Sequence, residues 1–202
     1  MPVKQKMTSV AVLGAWNPAI INPEWLAQYK VIEKVTKNIT FELAGPMGRL
    51  IFAIGDVRWE VDPTRLAVKA PKFKDCGGYI ARILGLLPHT PVGAIGSTFV
   101  FACPLTDWPE TKLPKLGDVQ LAPEPTSKGW HQVKWVGLRS LAKDTRIQLT
   151  VTQLEDGVAV GITFHRNVPN AEAALGYASG WVHDKDIALG LMKEMFGFES
   201  YD

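Results

Sequence analysis

The sequence lacks the features that mark secreted, membrane and strongly charged proteins. It has only two cysteines in 202 residues, Cys76 and Cys103, too few for the disulfide framework of a small secreted domain. No apolar run approaches the roughly 20 residues of a membrane helix, and the run from Val10 to Leu13 is too short for a secretory signal. The net charge of +2 demands neither a nucleic acid nor an anionic membrane. We therefore expect a cytoplasmic protein with two buried free thiols and no membrane partner.

Motifs that commit a chain to one chemistry are also missing. The sequence contains no G-x-S-x-G, no P-loop and no G-x-G-x-x-G, which would mark a hydrolase, a nucleotide site or a dinucleotide site. Its four histidines are scattered, and the acids beside His183 stand at the start of a predicted helix, where acids cap the helix and complement its dipole. We expect no metal and no cofactor, and we favour a protein that is not an enzyme.

Two isolated residues have a chemical alternative. Cys76 precedes two glycines at the start of a predicted helix, where the pKa of a thiol can be lowered, but burial in the core is the favoured interpretation. His89 lies in the turn Pro88–Pro91 and could act as an acid–base group. Bonding to the local backbone is the more ordinary role of such a turn residue.

The stretch from Cys76 to Cys103 organises the predicted fold. Its first part has the apolar spacing of one buried helix face, and Pro88 ends that helix. An alternating, almost wholly apolar strand follows at 97–103. A helix that leads directly into such a strand belongs at the middle of a domain.

Alternation of apolar and polar residues predicts two groups of antiparallel strands. The predicted strands are 8–15, 38–44, 49–54, 57–61 and 65–69 before the central stretch, and 131–138, 145–152 and 158–165 after it. A short helix begins at Asn22, followed by Pro23, and a long helix covers 183–196. Residues 1–7 are expected to form a loose tail, 114–130 a surface loop with at most one short strand at 119–121, and 167–180 one loose turn.

Both halves, 8–90 and 91–198, repeat the order of strand, short helix, meander and long helix. Sequence identity between them is negligible, so a duplication and an ordinary α+β domain explain the order equally well. In either case we expect one α+β domain over residues 1–202, with a curved, mainly antiparallel sheet and two long helices packed on one face. The order resembles that of the saddle-shaped TATA-box-binding protein fold and of helix-grip sheets that hold small ligands. This likeness of order carries no functional residues to this chain.

The face of the sheet turned away from the helices is predicted to be locally basic. Its six cations are Arg49, Arg58, Arg65, Lys69, Lys134 and Arg146. Such a face could meet phosphates, although it lacks aromatic residues on which bases would stack. The alternative is a solvated face with ion pairs, such as one between Glu60 and a neighbouring arginine.

The seven tryptophans are many for this length. Trp59 and Trp135 are predicted to point into the core. Five others fall near loops and short helices, where aromatic residues are enriched in protein interfaces: Trp16, Trp25, Trp108, Trp130 and Trp181. The alternative is that these rings cover the ends of the sheet.

Three functions are compatible with these patterns. We favour a non-enzymatic protein-interaction or assembly module that pairs with itself as a homo-oligomer or with another protein, and that uses the loop between Trp108 and Trp130. A nucleic-acid-binding module that uses the basic sheet face is the first alternative. A small-ligand-binding protein or enzyme, with a pocket between the sheet and the long helices, is the second.

Overall fold

A computed structural model describes residues 2–33, 39–44, 48–104, 124–125, 131–132, 134–141, 143–153, 157–198 and 200–201. The helices within these residues are α1 (Pro23–Gln28), α2 (Cys76–Leu86), α3 (Ala171–Ser179) and α4 (Trp181–Phe196). The strands are β1 (Pro2–Gly14), β2 (Ile39–Ala44), β3 (Arg49–Ile54), β4 (Val57–Asp62), β5 (Arg65–Ala70), β6 (Val92–Pro104), β7 (Glu124–Pro125), β8 (His131–Gln132), β9 (Lys134–Ser140), β10 (Thr145–Gln153), β11 (Gly157–Asn167) and β12 (Ser200–Tyr201).

One open sheet contains all of these strands except β7 and β8, which pair with each other. Its order is β2-β3-β4-β5-β1-β6-β11-β10-β9, and every neighbouring pair along this path is antiparallel. β12 is parallel to the start of β1. The paired strands β1 and β6 lie at the centre, and on each side a meander runs inward from the edge to meet one of them. A common origin of the two halves stays a prediction.

Three helices cover one face of this sheet. α2 contacts β1 and β5, whereas α3 and α4 contact β6. The largest fully buried side chains lie between the helices and the strands, and they include Phe52, Trp59, Phe99, Phe101 and Phe164. The predicted α+β fold, with its long helices on one face of an antiparallel sheet, is confirmed. We call the opposite side of the sheet the outer face.

The helices approach each other closely because small residues line their contact. Ala171, Ala174 and Ala178 of α3 are buried, and α3 packs on α2. Gly77 in α2 lies so close to Trp181 and to the carbonyl of Ala178 that a Cβ at this position would overlap both.

Two predicted segments are wrong, and β6 begins at Val92 rather than at residue 97. Residues 2–7 belong to β1 rather than to a loose tail, because they pair with the end of β6, as in Lys4 opposite Ala102, and with β12, as in Pro2 opposite Ser200. The segment predicted as a loose turn contains the helix α3, whose N-cap Asn170 accepts a hydrogen bond from the backbone N–H of Ala173. The predicted strand at 119–121 lies outside the described residues.

Candidate interaction surface

The buried carboxylate of Glu60 forms ion pairs with four cations of the outer face. The Glu60 side chain is only 4% exposed, although it points away from the helices. Lys69 Nζ lies 2.7 Å from Glu60 Oε1 and Arg58 Nε lies 3.3 Å from the same oxygen. Arg65 Nη1 lies 3.5 Å from Oε2, and Arg49 also contacts that oxygen. We call these five residues the Glu60 cluster. The predicted ion pair of Glu60 is thus one of four.

The Glu60 cluster sets the protonation of its carboxylate. Burial by itself raises the pKa of Glu60, but hydrogen bonds and charges from Lys69 and Arg49 outweigh burial and lower the pKa from an ordinary 4.5 to about 2. The carboxylate therefore stays ionised well into the acid range.

This shift predicts how stability depends on pH. A carboxylate whose folded pKa is depressed adds stability that is fully present above its unfolded pKa of 4.5 and is lost as the pH falls towards about 2. In urea melts across this range, the difference in free energy of unfolding between the wild type and Glu60→Gln should shrink steadily as the pH falls. Glu172→Gln, which removes an exposed acid on α3, is the control. A difference between wild type and Glu60→Gln that does not change with pH would contradict the lowered pKa.

Arg146 and Lys134 lie apart from the Glu60 cluster. Arg146 is in β10, four strands along the sheet from β5, or about 19 Å at ~4.8 Å per strand. It faces His165 of β11, where partial burial first and the Arg146 charge second lower the pKa of His165. Lys134 is in β9, and its side chain is outside the described part. The structure therefore brings four of the six predicted cations together.

Small residues line the centre of the outer face between these two regions. The residues of β1, β6 and β11 that face this side include six small ones, all partly exposed: Ser9, Ala11, Gly96, Thr98, Gly161 and Thr163. Val100, opposite Gly161, is a larger residue on the same side. The hydroxyls of Thr98 and Thr163 are 3.0 Å apart across neighbouring strands. No described helix contacts this face, so its centre is an open surface lined mainly by small side chains.

Two of the predicted interface tryptophans are part of the core. Trp16 is buried and donates its indole N–H to the Val12 carbonyl at 3.2 Å. Trp181 is also buried. Trp25 is half-buried, and its ring lies 4.9 Å from the ring of the exposed Tyr29. These positions agree with the alternative interpretation for Trp16 and Trp181, which cover the core.

The remaining two predicted interface residues, Trp108 and Trp130, lie outside the described residues. Their part in an interface stays a prediction.

Exposed apolar side chains lie instead on β9, the strand at one edge of the sheet. Leu138 of β9 is 65% exposed and Val136 is 38% exposed, and both face outward beside β10. Leu141, just after the strand, is 45% exposed. β9 pairs with β10 on one side, and no strand of the described residues lies on its other side. The alternation that predicted Trp135 to point inward also placed Val136 and Leu138 outward, but sequence reasoning did not use that signal.

The cysteines are placed in the core. Burial, the largest cause, raises the pKa of Cys76 to about 12, and its Sγ donates to the Thr8 carbonyl at 3.8 Å. Cys103 is buried as well, and neither cysteine forms a disulfide. Complete burial, together with the raised pKa, argues against an activated thiol at the start of α2.

The acid predicted to cap the last helix has another role. α4 begins at Trp181, so Asp184 lies within the helix, where its carboxylate binds the Arg166 guanidinium through two hydrogen bonds. The capping interpretation is wrong for this residue, because the N-cap is Gly180 and no side chain caps the helix. Asp184 nevertheless lies in the first turn, where its charge complements the helix dipole as predicted. Within the described residues, no three histidine, cysteine or acidic side chains are grouped as metal ligands.

Among the helices that the structure describes, none is both long and apolar enough to cross a bilayer. The chain matches no protein-family model and no curated protein. Its function therefore has to be inferred from the geometry of its own surfaces.

Proposed function

We propose that this chain is a protein-interaction module that self-associates by pairing its edge strand β9 with β9 of a second copy. The observation that carries this proposal is the exposure of Val136 and Leu138 on a strand with one unpaired side. An unpaired edge presents backbone N–H and C=O groups to another strand. Apolar side chains beside those groups add a contact that excludes water.

The sequence of β9 suits pairing with itself. Antiparallel pairing about a two-fold axis at Gly137 would set Val136 of one copy opposite Leu138 of the other, twice in each dimer. The same register sets Lys134 opposite Ser140, so cations do not face each other across the pair. The exposed apolar residues would therefore meet on the outer face of one continuous sheet.

One pair of strands by itself buries too little surface area for a stable interface. Stable contacts bury roughly 1,200–2,000 Å² in total, and two strands of seven residues supply only part of this area. We propose that the segment between Trp108 and Trp130 supplies the rest, because it leads along the chain into β9. Trp108→Ala and Trp130→Ala should then also weaken the dimer.

Light scattering on a size-exclusion column at micromolar concentration tests this proposal. The wild type should elute as a dimer, and Leu138→Lys should weaken the dimer at least about tenfold, because symmetry places the new charge in the contact twice. Val182→Lys is the matched control, since Val182 is 51% exposed on α4, away from the edge. A monomeric wild type, or equal weakening by Val182→Lys, would end this proposal.

A second candidate function is binding of a nucleic-acid backbone on the outer face. It is supported by the Glu60 cluster, where four cations surround one carboxylate on a face that no described helix covers. Phosphate contacts would make affinity fall steeply with salt. This candidate ranks second because the same cations already stabilise Glu60. An affinity for duplex DNA that does not change with salt concentration would rule out this candidate.

A further inference from the structure

A cavity of about 480 Å³ opens beside the first turns of α2. It lies between this helix, the β3–β4 hairpin and the segment that follows α1. Its volume falls in the range of roughly 300–1,000 Å³ that is typical of small-molecule sites. The lining residues on which the proposal below depends are Val31, Ile54, Val57, Trp59, Tyr79 and Arg82.

Two aromatic rings form one wall of this cavity. The ring of Trp59 lies 5.3 Å from that of Tyr79 in an edge-on arrangement and is stacked at 5.9 Å on Phe52. The indole N–H of Trp59 is buried and has no hydrogen-bond acceptor among the described residues. Neighbouring aromatic rings of this kind form an apolar wall, which suits a flat apolar group.

A guanidinium lies at the same cavity. Arg82 donates one hydrogen bond to the Val31 carbonyl at 2.9 Å, and its guanidinium carbon lies 6.0 Å from the centre of the Tyr79 ring. Its partner is a neutral carbonyl, and no ion pair of the described residues involves Arg82. A guanidinium held at one nitrogen keeps further N–H groups that can bind a carboxylate.

The other charged groups at the cavity limit what can bind. Lys74 is paired with Asp56, and Asp75 accepts a hydrogen bond from the Gly78 N–H at 2.7 Å. Glu33 also borders the cavity, and its negative charge disfavours a ligand with two carboxylates. The Glu33 and Asp75 carboxylates keep their negative charges at the cavity, so the anionic group of a ligand has to lie at the Arg82 guanidinium and away from these two acids.

We propose that this cavity is a binding site for a small aromatic monocarboxylic acid. The ring of the ligand would pack against Trp59, Tyr79 and Val57, and its carboxylate would bind Arg82. The site lies on the helix-covered side of the sheet and is separate from the edge strand β9. Ligand binding at this cavity therefore does not depend on self-association.

Phenylacetate and its uncharged analogue benzyl alcohol test the ring and the carboxylate separately. Titration of the full chain is followed by the indole N–H resonance of Trp59, assigned as the one missing in Trp59→Phe. Phenylacetate should shift this resonance, and benzyl alcohol should bind at least about tenfold more weakly, because it cannot pair with Arg82.

Arg82→Gln should weaken the binding of phenylacetate at least about tenfold and leave the affinity for benzyl alcohol unchanged. The benzyl alcohol titration thereby shows that the variant cavity is intact. Arg58→Gln, on the outer face, should leave both titrations unchanged. The proposal is overturned if phenylacetate at about 10 mM leaves the Trp59 resonance in place, or if Arg82→Gln weakens both probes alike.

Discussion

Asp184→Asn is expected to lower the free energy of unfolding by about 3–5 kcal/mol, because it leaves a buried guanidinium without its countercharge. The Arg166 and Asp184 side chains are 6% and 3% exposed, and two hydrogen bonds join them, one of 2.7 Å. Arg166 also lies 4.6 Å from the centre of the Tyr177 ring and 3.3 Å from the Thr145 hydroxyl. One side chain of β11 thus contacts β10, α3 and α4.

Urea unfolding followed by circular dichroism measures this effect. Asp186→Asn changes an exposed acid one half-turn further along α4 and should cost less than about 0.5 kcal/mol. Replacing both partners, as in Arg166→Met with Asp184→Leu, should restore part of the loss, because no unpaired charge remains. A loss below about 1 kcal/mol for Asp184→Asn would show that water reaches Arg166.

Trp59→Ala is expected to cost roughly 3–5 kcal/mol of unfolding free energy, as for other buried aromatic residues. Trp59 is fully buried, and its ring lies between those of Phe52 and Tyr79. Truncation would leave a cavity at the contact of β4 with α2, where neither backbone can collapse without breaking its own hydrogen bonds.

Two matched variants separate ring volume from other effects in the same urea melts. Trp59→Phe keeps an aromatic ring and loses no hydrogen bond from the described residues, because the indole N–H has none there. It should therefore cost clearly less than Trp59→Ala. Trp25→Ala removes a half-buried tryptophan and should also cost less. A cost below about 1 kcal/mol for Trp59→Ala would show that the ring is not tightly packed.

The meander and the central helix could be predicted because each has one apolar face. Alternation places Trp59 inward and both Arg58 and Glu60 outward, as the structure shows. α3 was missed because its buried positions are alanines, whose small apolar surface gives little contrast with the polar residues around them. The Asn170 cap, with Glu172 two residues later, was the local signal for this helix.

The surfaces were harder to predict than the strands because they depend on which strands are neighbours. The cations of the Glu60 cluster come from three strands, β3, β4 and β5. Predicting its four contacts therefore requires the register of these strands as well as the alternation within each one. The pairing of Arg166 with Asp184 and that of Arg82 with the Val31 carbonyl join different elements. That β9 is an edge strand follows only from the order of the whole sheet.

The central position of β1 has a consequence for synthesis on the ribosome. β1 precedes both of its neighbours in the chain, since Val10 pairs with Val68 on one side and with Ser97 on the other. The first meander can therefore form on the nascent chain and pair with β1 while the other side of β1 stays open. Until β6 leaves the ribosomal tunnel, the longest edge of this half-formed sheet is available to other nascent chains. Chaperones that bind exposed strand edges would act in this interval.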